Sequence, residues 1–359
     1  MKYVTGIQND QSISELENRN RILAYRAACE GIVLLENNGV LPLKPGRIAL
    51  YGAGAVNTVK GGTGSGEVNE RFSVNIHDGL VNAGFVIGSE GWLADYRKEF
   101  EAALTAYGKK CRSMLYRARS IKHIMEVVAL SFHYPCGRMI TEEDMKESET
   151  DTAVYVVSRQ SGEEGDRHRE NYDYNLKPEE LIHLASLRKY YRKLILVLNA
   201  GGPMSLEGTE NIKPDALIWF CQQGEEGGNA LGAVMNGSVS PSGKLASTWY
   251  RRYEDIYNGA DYSFMGTEKE KEYYKEGIYT GYRYCTTFDV KPQFPFGYGL
   301  SYTDFRTEML NIAVTRLTVS LEVTVVNTGK CSGKEVVQVY VSSPAGKLDH
   351  EYISLAGFA

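Results

Sequence analysis

The sequence predicts an α/β fold: a multi-layer α/β sandwich with a mostly parallel sheet, followed by an incomplete antiparallel β-sandwich. Between residues 150 and 235, short apolar runs alternate with helical segments, which is typical of parallel βαβ units. After about Phe296, apolar and polar residues alternate with period two, as in antiparallel strands that expose one face. The length of 359 residues suggests two or three domains.

Composition and charge exclude several classes of protein. With 43% hydrophobic and 24% charged residues the chain has an ordinary globular composition, and its net charge of −5 argues against a generally basic nucleic-acid or anionic-membrane binder. No run of 18 apolar residues occurs, and the segment MKYVTGIQNDQS lacks the apolar region of a secretory signal. We therefore expect a cytoplasmic protein without nucleic-acid or membrane partners. Two domains of ordinary size leave no room for a barrel of about 250 residues.

The N-terminal third predicts a helix followed by the first strands. Apolar residues recur at helical spacing between Glu15 and Asn37, so we expect one helix there, ended by Gly39. Residues 47–52 (RIALYG) predict a buried strand. A helix over 73–83 and a strand over 85–87 follow.

Residues 90–149 are charged and predict mainly helical structure. They contain a local basic cluster, made up of Lys109, Lys110, Arg112, Arg117 and Arg119. A nucleic-acid patch is conceivable there, but a solvated helix face is the better interpretation because the chain as a whole is acidic.

The next segments predict the centre of the sheet. Strands are expected at 151–157, 194–199 and 215–221, with helices over 178–192 and from about 228 to 235.

The C-terminal segment predicts antiparallel strands at 317–326 and 335–341, with turn residues at 327–330 between them. A β-sandwich domain needs about 100 residues and seven strands, and only about 60 residues remain. We therefore expect the sandwich to be cut short.

The first segment that could carry chemistry is the glycine-rich loop KGGTGSGE, residues 60–67. No Lys-Ser or Lys-Thr pair follows it, and Gly52-Ala53-Gly54 is followed by Asn57 where a dinucleotide motif needs glycine, so a nucleotide site is disfavoured. Its backbone can approach a ligand closely, and Ser65 is suited to hydrogen bonding a sugar hydroxyl. The alternative interpretation is a plain turn.

The second segment, SRQSGEEGDR at 158–167, directly follows a predicted strand. Ligands bind at the carboxyl ends of strands in open α/β sheets, and its adjacent glutamates suit general acid/base catalysis. From spacing alone, a solvated acidic loop is the stronger alternative.

A third segment, QQGEEGG at 222–228, opens a helix. Its glycines are best explained by packing between helix and strand, and its glutamates by the preference of the helix N-terminus for negative charge.

The scattered cysteines and histidines show no metal-binding spacing. We expect no metal and no other cofactor.

Together these segments resemble glycoside hydrolase family 3, the family of many β-glucosidases and β-xylosidases. The matching stretches run in order along the chain: EGIVLLENNGVLPL, KGGTGSG, SRQSGEEGDR, LILVLNAGGP, GNALGAVMNGSVSPSGKLASTW, GIYTGYRY and FPFGYGLSYTDF. The resemblance implies an N-terminal extension (1–19), an α/β-sandwich domain (20–290), and a linker with a partial fibronectin-III-like domain (291–359).

The resemblance also implies a catalytic residue. In the family, the α/β sandwich supplies the acid/base glutamate in a Glu-x-x-Asp-Arg context, which Glu163, Asp166 and Arg167 match. The family usually has glycine after that glutamate, whereas this chain has Glu164, so Glu164 remains the alternative. Arg159 is a further candidate for a supporting role.

The same resemblance implies substrate contacts and a missing part. Ser65 matches the serine that contacts the sugar in related enzymes, so a β-linked glucoside or oligosaccharide is the expected substrate. The family's nucleophilic aspartate lies on a (β/α)8 barrel in a Ser-Asp-Trp type motif, which does not occur here. An α/β sandwich placed first resembles family members with inverted domain order.

The resemblance therefore implies part of a retaining β-glycosidase that hydrolyses terminal β-D-glucosides. We expect the chain alone, without the barrel, to be inactive. The alternative is a non-catalytic carbohydrate-binding or accessory subunit, since such a protein would need no nucleophile.

Overall fold

The computed structural model describes residues 12–62, 68, 70–128, 130, 132–160, 172–259, 271, 273–344 and 346–359. The helices are α1 (Glu15–Gly31), α2 (Ile76–Asn82), α3 (Glu90–Arg117), α4 (Ile121–Val128), α5 (Glu142–Glu147), α6 (Pro178–Tyr190), α7 (Gly227–Met235) and α8 (Tyr282–Thr287). The strands are β1 (Val33–Asn37), β2 (Arg47–Tyr51), β3 (Val86–Ile87), β4 (Thr152–Arg159), β5 (Lys193–Ala200), β6 (Ala216–Trp219), β7 (Phe305–Val314), β8 (Val319–Asn327), β9 (Gln338–Val341) and β10 (Ser354–Phe358).

A six-stranded sheet forms the centre of the molecule, in the order β1-β6-β5-β4-β2-β3. All neighbouring strands are parallel except β1, which runs antiparallel to β6. Every residue of β4 is buried, as expected for a strand with structure packed on both faces. This mostly parallel sheet, together with the small antiparallel sheets that follow it, confirms the predicted fold class.

The prediction of one helix from Glu15 to Asn37 was wrong in its last part. α1 ends at Gly31, Ile32 is already extended, and β1 follows at the edge of the sheet. The four residues Ile32–Leu35 are all almost completely buried. Such a short apolar run fits a buried strand as well as a helix, and periodicity cannot separate the two. The segment forms a strand because it pairs with β6, where Val33 lies opposite Trp219.

The C-terminal segment forms two antiparallel pairs, β7 with β8 and β9 with β10. The turn residues 327–330 therefore do not connect two strands of one hairpin, because β8, before them, pairs with β7, and β9, after them, pairs with β10. The segment 294–302 belongs with the central sheet: Leu300 N–H donates to Leu34 O at 2.8 Å, and Trp249 N–H donates to Phe294 O at 2.9 Å.

The described part of the region 90–149 is mainly helical, as predicted, with α3, α4 and α5. Across the described ranges, no helix is both long and apolar enough to span a bilayer.

Candidate functional site

The topology of the sheet brings two of the candidate loops together. β2 and β4 are neighbouring parallel strands, but the chain leaves β2 towards β3 on one side and leaves β4 towards β5 on the other. Such a reversal of direction opens a crevice at the carboxyl ends of the strands. Along the chain, the glycine-rich loop follows β2 and the acidic loop follows β4, and the described residues at which they begin, Gly61 and Gln160, lie at this crevice.

A direct hydrogen bond joins the beginnings of these two loops. Gln160 is the first residue after β4, and its Nε2 donates to Gly61 O at 3.1 Å. The two loops therefore start within hydrogen-bond distance of each other, although about 100 residues separate them along the chain.

Asn199, at the end of β5, fixes the approach to the glycine-rich loop. Its Oδ1 accepts from Val59 N–H at 2.7 Å, and its Nδ2 donates to Val59 O and Cys221 O, each at 2.7 Å. Ser158, near the end of β4, donates to the same Oδ1 at 3.3 Å. One buried amide thus connects the ends of three strands with the segment after β2.

Gly52 allows β2 to end close against β4. It has a φ of +95°, and a Cβ at this position would lie 2.4 Å from Val156 O. Only glycine combines this backbone conformation with so close an approach. The chain can therefore turn into the glycine-rich loop directly beside β4.

Arg159, the last residue of β4, forms a buried ion pair with Glu180 on α6. Its Nη1 and Nη2 lie 2.8 and 2.6 Å from the two carboxylate oxygens of Glu180, and both side chains are almost fully buried. Burial by itself would lower the pKa of Arg159, but the Glu180 carboxylate holds that pKa above its usual value. The guanidinium therefore remains charged inside the protein.

The same guanidinium connects the end of β4 with the chain beyond the acidic loop. Its Nε donates to Tyr172 O at 2.7 Å and its Nη2 to Asn175 O at 3.0 Å, so residues on the far side of the loop are tied to the end of β4. Arg159 thus faces Glu180 and these carbonyls. Its supporting role in the chemistry stays a prediction.

The remaining predicted site residues lie outside the described residues. They are Ser65 in the glycine-rich loop and Glu163, Glu164, Asp166 and Arg167 in the acidic loop. What the structure describes is the frame around both loops: Gln160, Asn199, Arg159 and Glu180.

A cavity of about 290 Å³ lies beside the start of the glycine-rich loop, lined by Asn57, Lys60, Phe100 and Tyr134 among others. Lys60 is paired with Glu70. Burial by itself would raise the pKa of the Glu70 carboxyl, but the hydrogen bond from Lys60 brings that pKa below its usual value. The loop is therefore anchored at this end by an ion pair.

The third predicted segment has a structural role. Gly224 N–H donates to Lys60 O at 2.9 Å, and the buried Glu226 accepts from Arg21 and from Asn229. Its glycine Gly228 lies directly against Asn75, at the start of α2. Gly228 thus allows α7 to pack closely against α2, while Gly227 lies against Phe220, which directly follows β6, as the predicted packing between helix and strand requires.

Sequence reasoning missed the residues that form the frame. Asn199 lies in the stretch LILVLNAGGP, where it follows five apolar residues. A polar residue at the end of such a buried strand indicates a buried hydrogen-bonding role. Glu180 gave no such signal, because a glutamate in the first turn of a helix is common at the surface.

In the described part of the chain, no three or more His, Cys, Asp or Glu side chains are grouped so that they could hold a metal ion.

Comparison with known proteins supports the family resemblance found in the sequence, and does so along most of the chain. Residues 32–302 match the model for the glycosyl hydrolase family 3 C-terminal domain. β-Glucosidase A of Butyrivibrio fibrisolvens is 32% identical over 94% of this chain, and a β-glucosidase of Ruminococcus albus is 33% identical over 93% of it. The chain spans only 43% and 34% of the length of these two relatives.

Solved structures agree with this match. β-Glucosidase 3B from Thermotoga neapolitana, in complex with glucose, superposes with a TM-score of 0.80 and 33% sequence identity. The superposition covers 96% of this chain and 47% of the Thermotoga chain. The described fold is therefore the fold of slightly less than half of that larger chain.

Proposed function

The chain belongs to glycoside hydrolase family 3, and on that premise we propose that it supplies the general acid/base of a retaining β-glucosidase that hydrolyses terminal β-D-glucosides. The observation that supports this most directly is the hydrogen bond from Gln160 to Gly61, which joins the loop expected to hold the acid/base with the loop expected to contact the sugar. The names of the relatives support the choice of β-glucosides.

In this proposal Glu163 protonates the departing glycosidic oxygen and then removes a proton from the water that releases the sugar. Ser65 hydrogen bonds a sugar hydroxyl. Retaining enzymes need a second carboxylate about 5–5.5 Å from the first, to act as nucleophile. We assign that role to an aspartate on a (β/α)8 barrel outside these 359 residues.

The architecture proposed for the complete enzyme is an inverted domain order, with the α/β sandwich first and the barrel last. In it, the antiparallel pairs β7–β8 and β9–β10 form part of a fibronectin-III-like domain. We also propose that the enzyme acts in the cytoplasm.

The proposed division of labour predicts that the 359-residue chain is inactive alone, because one carboxyl group cannot both protonate the leaving group and form the glycosyl intermediate. The measurement is the release of nitrophenol from an aryl β-glucoside by the purified chain. Turnover above the buffer rate that is lost in Glu163→Ala would contradict the need for a barrel.

The role of Glu163 is tested in a barrel-containing form of the enzyme. Glu163→Ala should lower kcat on substrates with poor leaving groups by about 10²–10⁴-fold, and azide should restore turnover of activated substrates. The matched control is Glu164→Ala, which should retain most of the activity. If Glu164→Ala is the crippling change, the acid/base is the neighbouring residue.

The alternative function is a non-catalytic carbohydrate-binding or accessory subunit. It is favoured by the absence from the sequence of a Ser-Asp-Trp type nucleophile motif. Calorimetry with glucose and cellobiose separates the two functions: micromolar sugar binding by this chain alone would favour the binding subunit.

A further inference from the structure

A helical hairpin, residues 101–128, extends from the core, and we call it the basic arm. The buried residues of α3 are Trp92, Leu93 and Tyr96, all within its first two turns, and no side chain from Glu101 to Arg117 is buried. The chain turns at 118–120, and α4 packs back along α3. Tyr107 Oη donates to Leu130 O at 2.8 Å and closes the base of the hairpin.

The basic arm begins at the same edge of the sheet as the candidate site. Ser89, just before α3, donates to Leu50 O in β2 at 2.7 Å. Three turns later, Phe100 lines the cavity that also contains Lys60, the residue that begins the glycine-rich loop. α3 therefore begins beside the carboxyl end of β2 and reaches the start of the glycine-rich loop at Phe100, and the arm continues from there.

The arm carries a concentrated positive charge. Residues 102–125 contain no Asp or Glu and six Lys or Arg, namely Lys109, Lys110, Arg112, Arg117, Arg119 and Lys122. Because the whole chain has a net charge of −5, the rest of it carries −11. None of the six forms an ion pair with another residue that the structure describes.

Exposed apolar side chains stand among these cations. Tyr116 is 94% exposed and Ile121 is 79% exposed. Arg112 and Tyr116 are four residues apart on α3, so they lie on the same face of the helix. The arm thus presents a guanidinium beside an uncovered aromatic ring.

We propose that the basic arm binds a polysaccharide that carries carboxylate groups, a polyuronate. Guanidinium groups pair with carboxylates through two parallel hydrogen bonds, and an exposed tyrosine offers a flat apolar face to a sugar ring. The arm continues from Phe100, which lines a cavity together with Lys60, so a carbohydrate chain bound to the arm would be close to the start of the glycine-rich loop. Binding itself does not depend on the role assigned to Glu163.

Charge density favours a polysaccharide over a nucleic acid. Duplex DNA carries one negative charge per about 1.7 Å of its length and is wide, so it would also face the acidic remainder of the molecule and be repelled. A single polyuronate chain carries at most one carboxylate per sugar and can follow the arm alone. The negative charge on the rest of the protein therefore repels the polysaccharide far less than it repels the duplex.

The test is a fluorescence-anisotropy titration of a labelled oligogalacturonate with the purified 359-residue chain at low salt. The triple variant Lys109→Gln/Lys110→Gln/Arg112→Gln should bind about tenfold more weakly or worse, because three cations that face the ligand are lost. Its affinity should also depend less steeply on salt concentration. Tyr116→Ala should weaken binding while leaving the salt dependence unchanged.

The matched control removes the same charge elsewhere. Arg19→Gln/Arg26→Gln/Lys189→Gln alters three exposed helical cations outside the arm and should leave the affinity within about twofold, since long-range charge is screened by salt. Circular dichroism confirms that each variant retains its helices.

Three results would overturn the proposal. The first is no binding at low salt, or equal affinity for the arm variant and the unaltered chain. The second is tighter binding of a labelled DNA duplex, which would assign the arm to nucleic acid. The third is binding to phosphatidylserine vesicles but not to oligogalacturonate, which would assign it to lipid. Because none of these readouts uses catalysis, they are independent of the proposed glycosidase activity.

Discussion

At the scale of single residues, the candidate site is held by buried polar side chains. Asn199 uses both its oxygen and its nitrogen to tie the segment after β2 to the ends of β5 and β6. Burial of such a group is favourable only when its hydrogen bonds are made, so each of these contacts specifies the position of a loop.

Arg159 is predicted to contribute strongly to stability. Arg159→Met leaves the buried Glu180 carboxylate without its partner and frees the carbonyls of Tyr172 and Asn175. Breaking a buried pair on one side costs about 3–5 kcal/mol, so urea unfolding should show a loss of that size.

The double variant Arg159→Met/Glu180→Leu is the control for this prediction. It removes both charges, so no unpaired ion remains, and it should recover part of the lost free energy of unfolding. A single variant that loses less than about 1 kcal/mol would show that the pair does not hold the loop ends as described.

His183 is predicted to make the protein less stable in mild acid. Burial lowers the pKa of this histidine below its usual 6.5, so the unfolded chain takes up the proton more readily than the folded chain. The contribution is fully present above pH 6.5 and is lost as the pH falls towards the folded-state pKa.

The measurement is the free energy of urea unfolding between pH 7.5 and 5 for the unaltered chain and for His183→Gln. The unaltered chain should lose up to about 1.4 kcal/mol per pH unit more than the variant below pH 6.5. Parallel pH profiles would mean that His183 does not couple protonation to folding. Glutamine keeps a polar group near Tyr155, whose hydroxyl lies 3.1 Å from Nδ1 of His183.

At the scale of elements, close helix packing depends on glycine. A Cβ at Gly228 in α7 would lie 1.9 Å from Asn75 O, and one at Gly79 in α2 would lie 1.9 Å from the backbone of Gly228. These contacts are with backbone atoms, which cannot move aside as a flexible side chain can. α2 and α7 therefore approach more closely than any larger residue permits.

Gly228→Ala should destabilise the protein by about 3 kcal/mol or more, because the added methyl group must push two helices apart. Thermal unfolding measures the loss. The control is Gly46→Ala, where the nearest atom is 3.8 Å away, and it should change stability by less than about 0.5 kcal/mol. Equal effects of the two substitutions would contradict the packing argument.

At the scale of the whole molecule, the segment 294–302 links the two parts of the chain. Phe294 is buried, contacts Trp249 edge to face and stacks on Tyr298. The Leu300 N–H donates a hydrogen bond to Leu34 O in β1. The strands β7–β10 come after this segment. The stability of the α/β part should thus depend on 294–302 rather than on the antiparallel pairs.

Two shortened chains test this dependence. A chain that ends after Asp304 keeps the whole segment and should unfold cooperatively in urea, as the 359-residue chain does. A chain that ends after Val290 loses the buried Phe294 and the partly buried Tyr298 and Leu300, and should be destabilised by several kcal/mol. Full burial of one large apolar side chain contributes about 1.5–3 kcal/mol, and partial burial adds to this. Equal midpoints for the two would show that the segment is dispensable.

The sequence alone determined the fold class, the central strands, the helices between them and the resemblance that led to the family. Short-range patterns in the sequence predict these features. The patterns are apolar runs for β4 and β5, helical spacing for α6 and α7, and glycine-containing motifs after β2 and β4. The predicted catalytic and sugar-contacting residues, Glu163 and Ser65, also came from such motifs and remain predictions.

Only the tertiary structure decided which of these patterns meet in space. It made residues 33–37 a strand by pairing them with β6, paired β8 with β7 instead of β9, and turned Arg159 onto Glu180. It also placed Gln160 against Gly61. Each outcome depends on contacts between segments far apart in the chain, and such contacts leave no periodic signal in the sequence on either side.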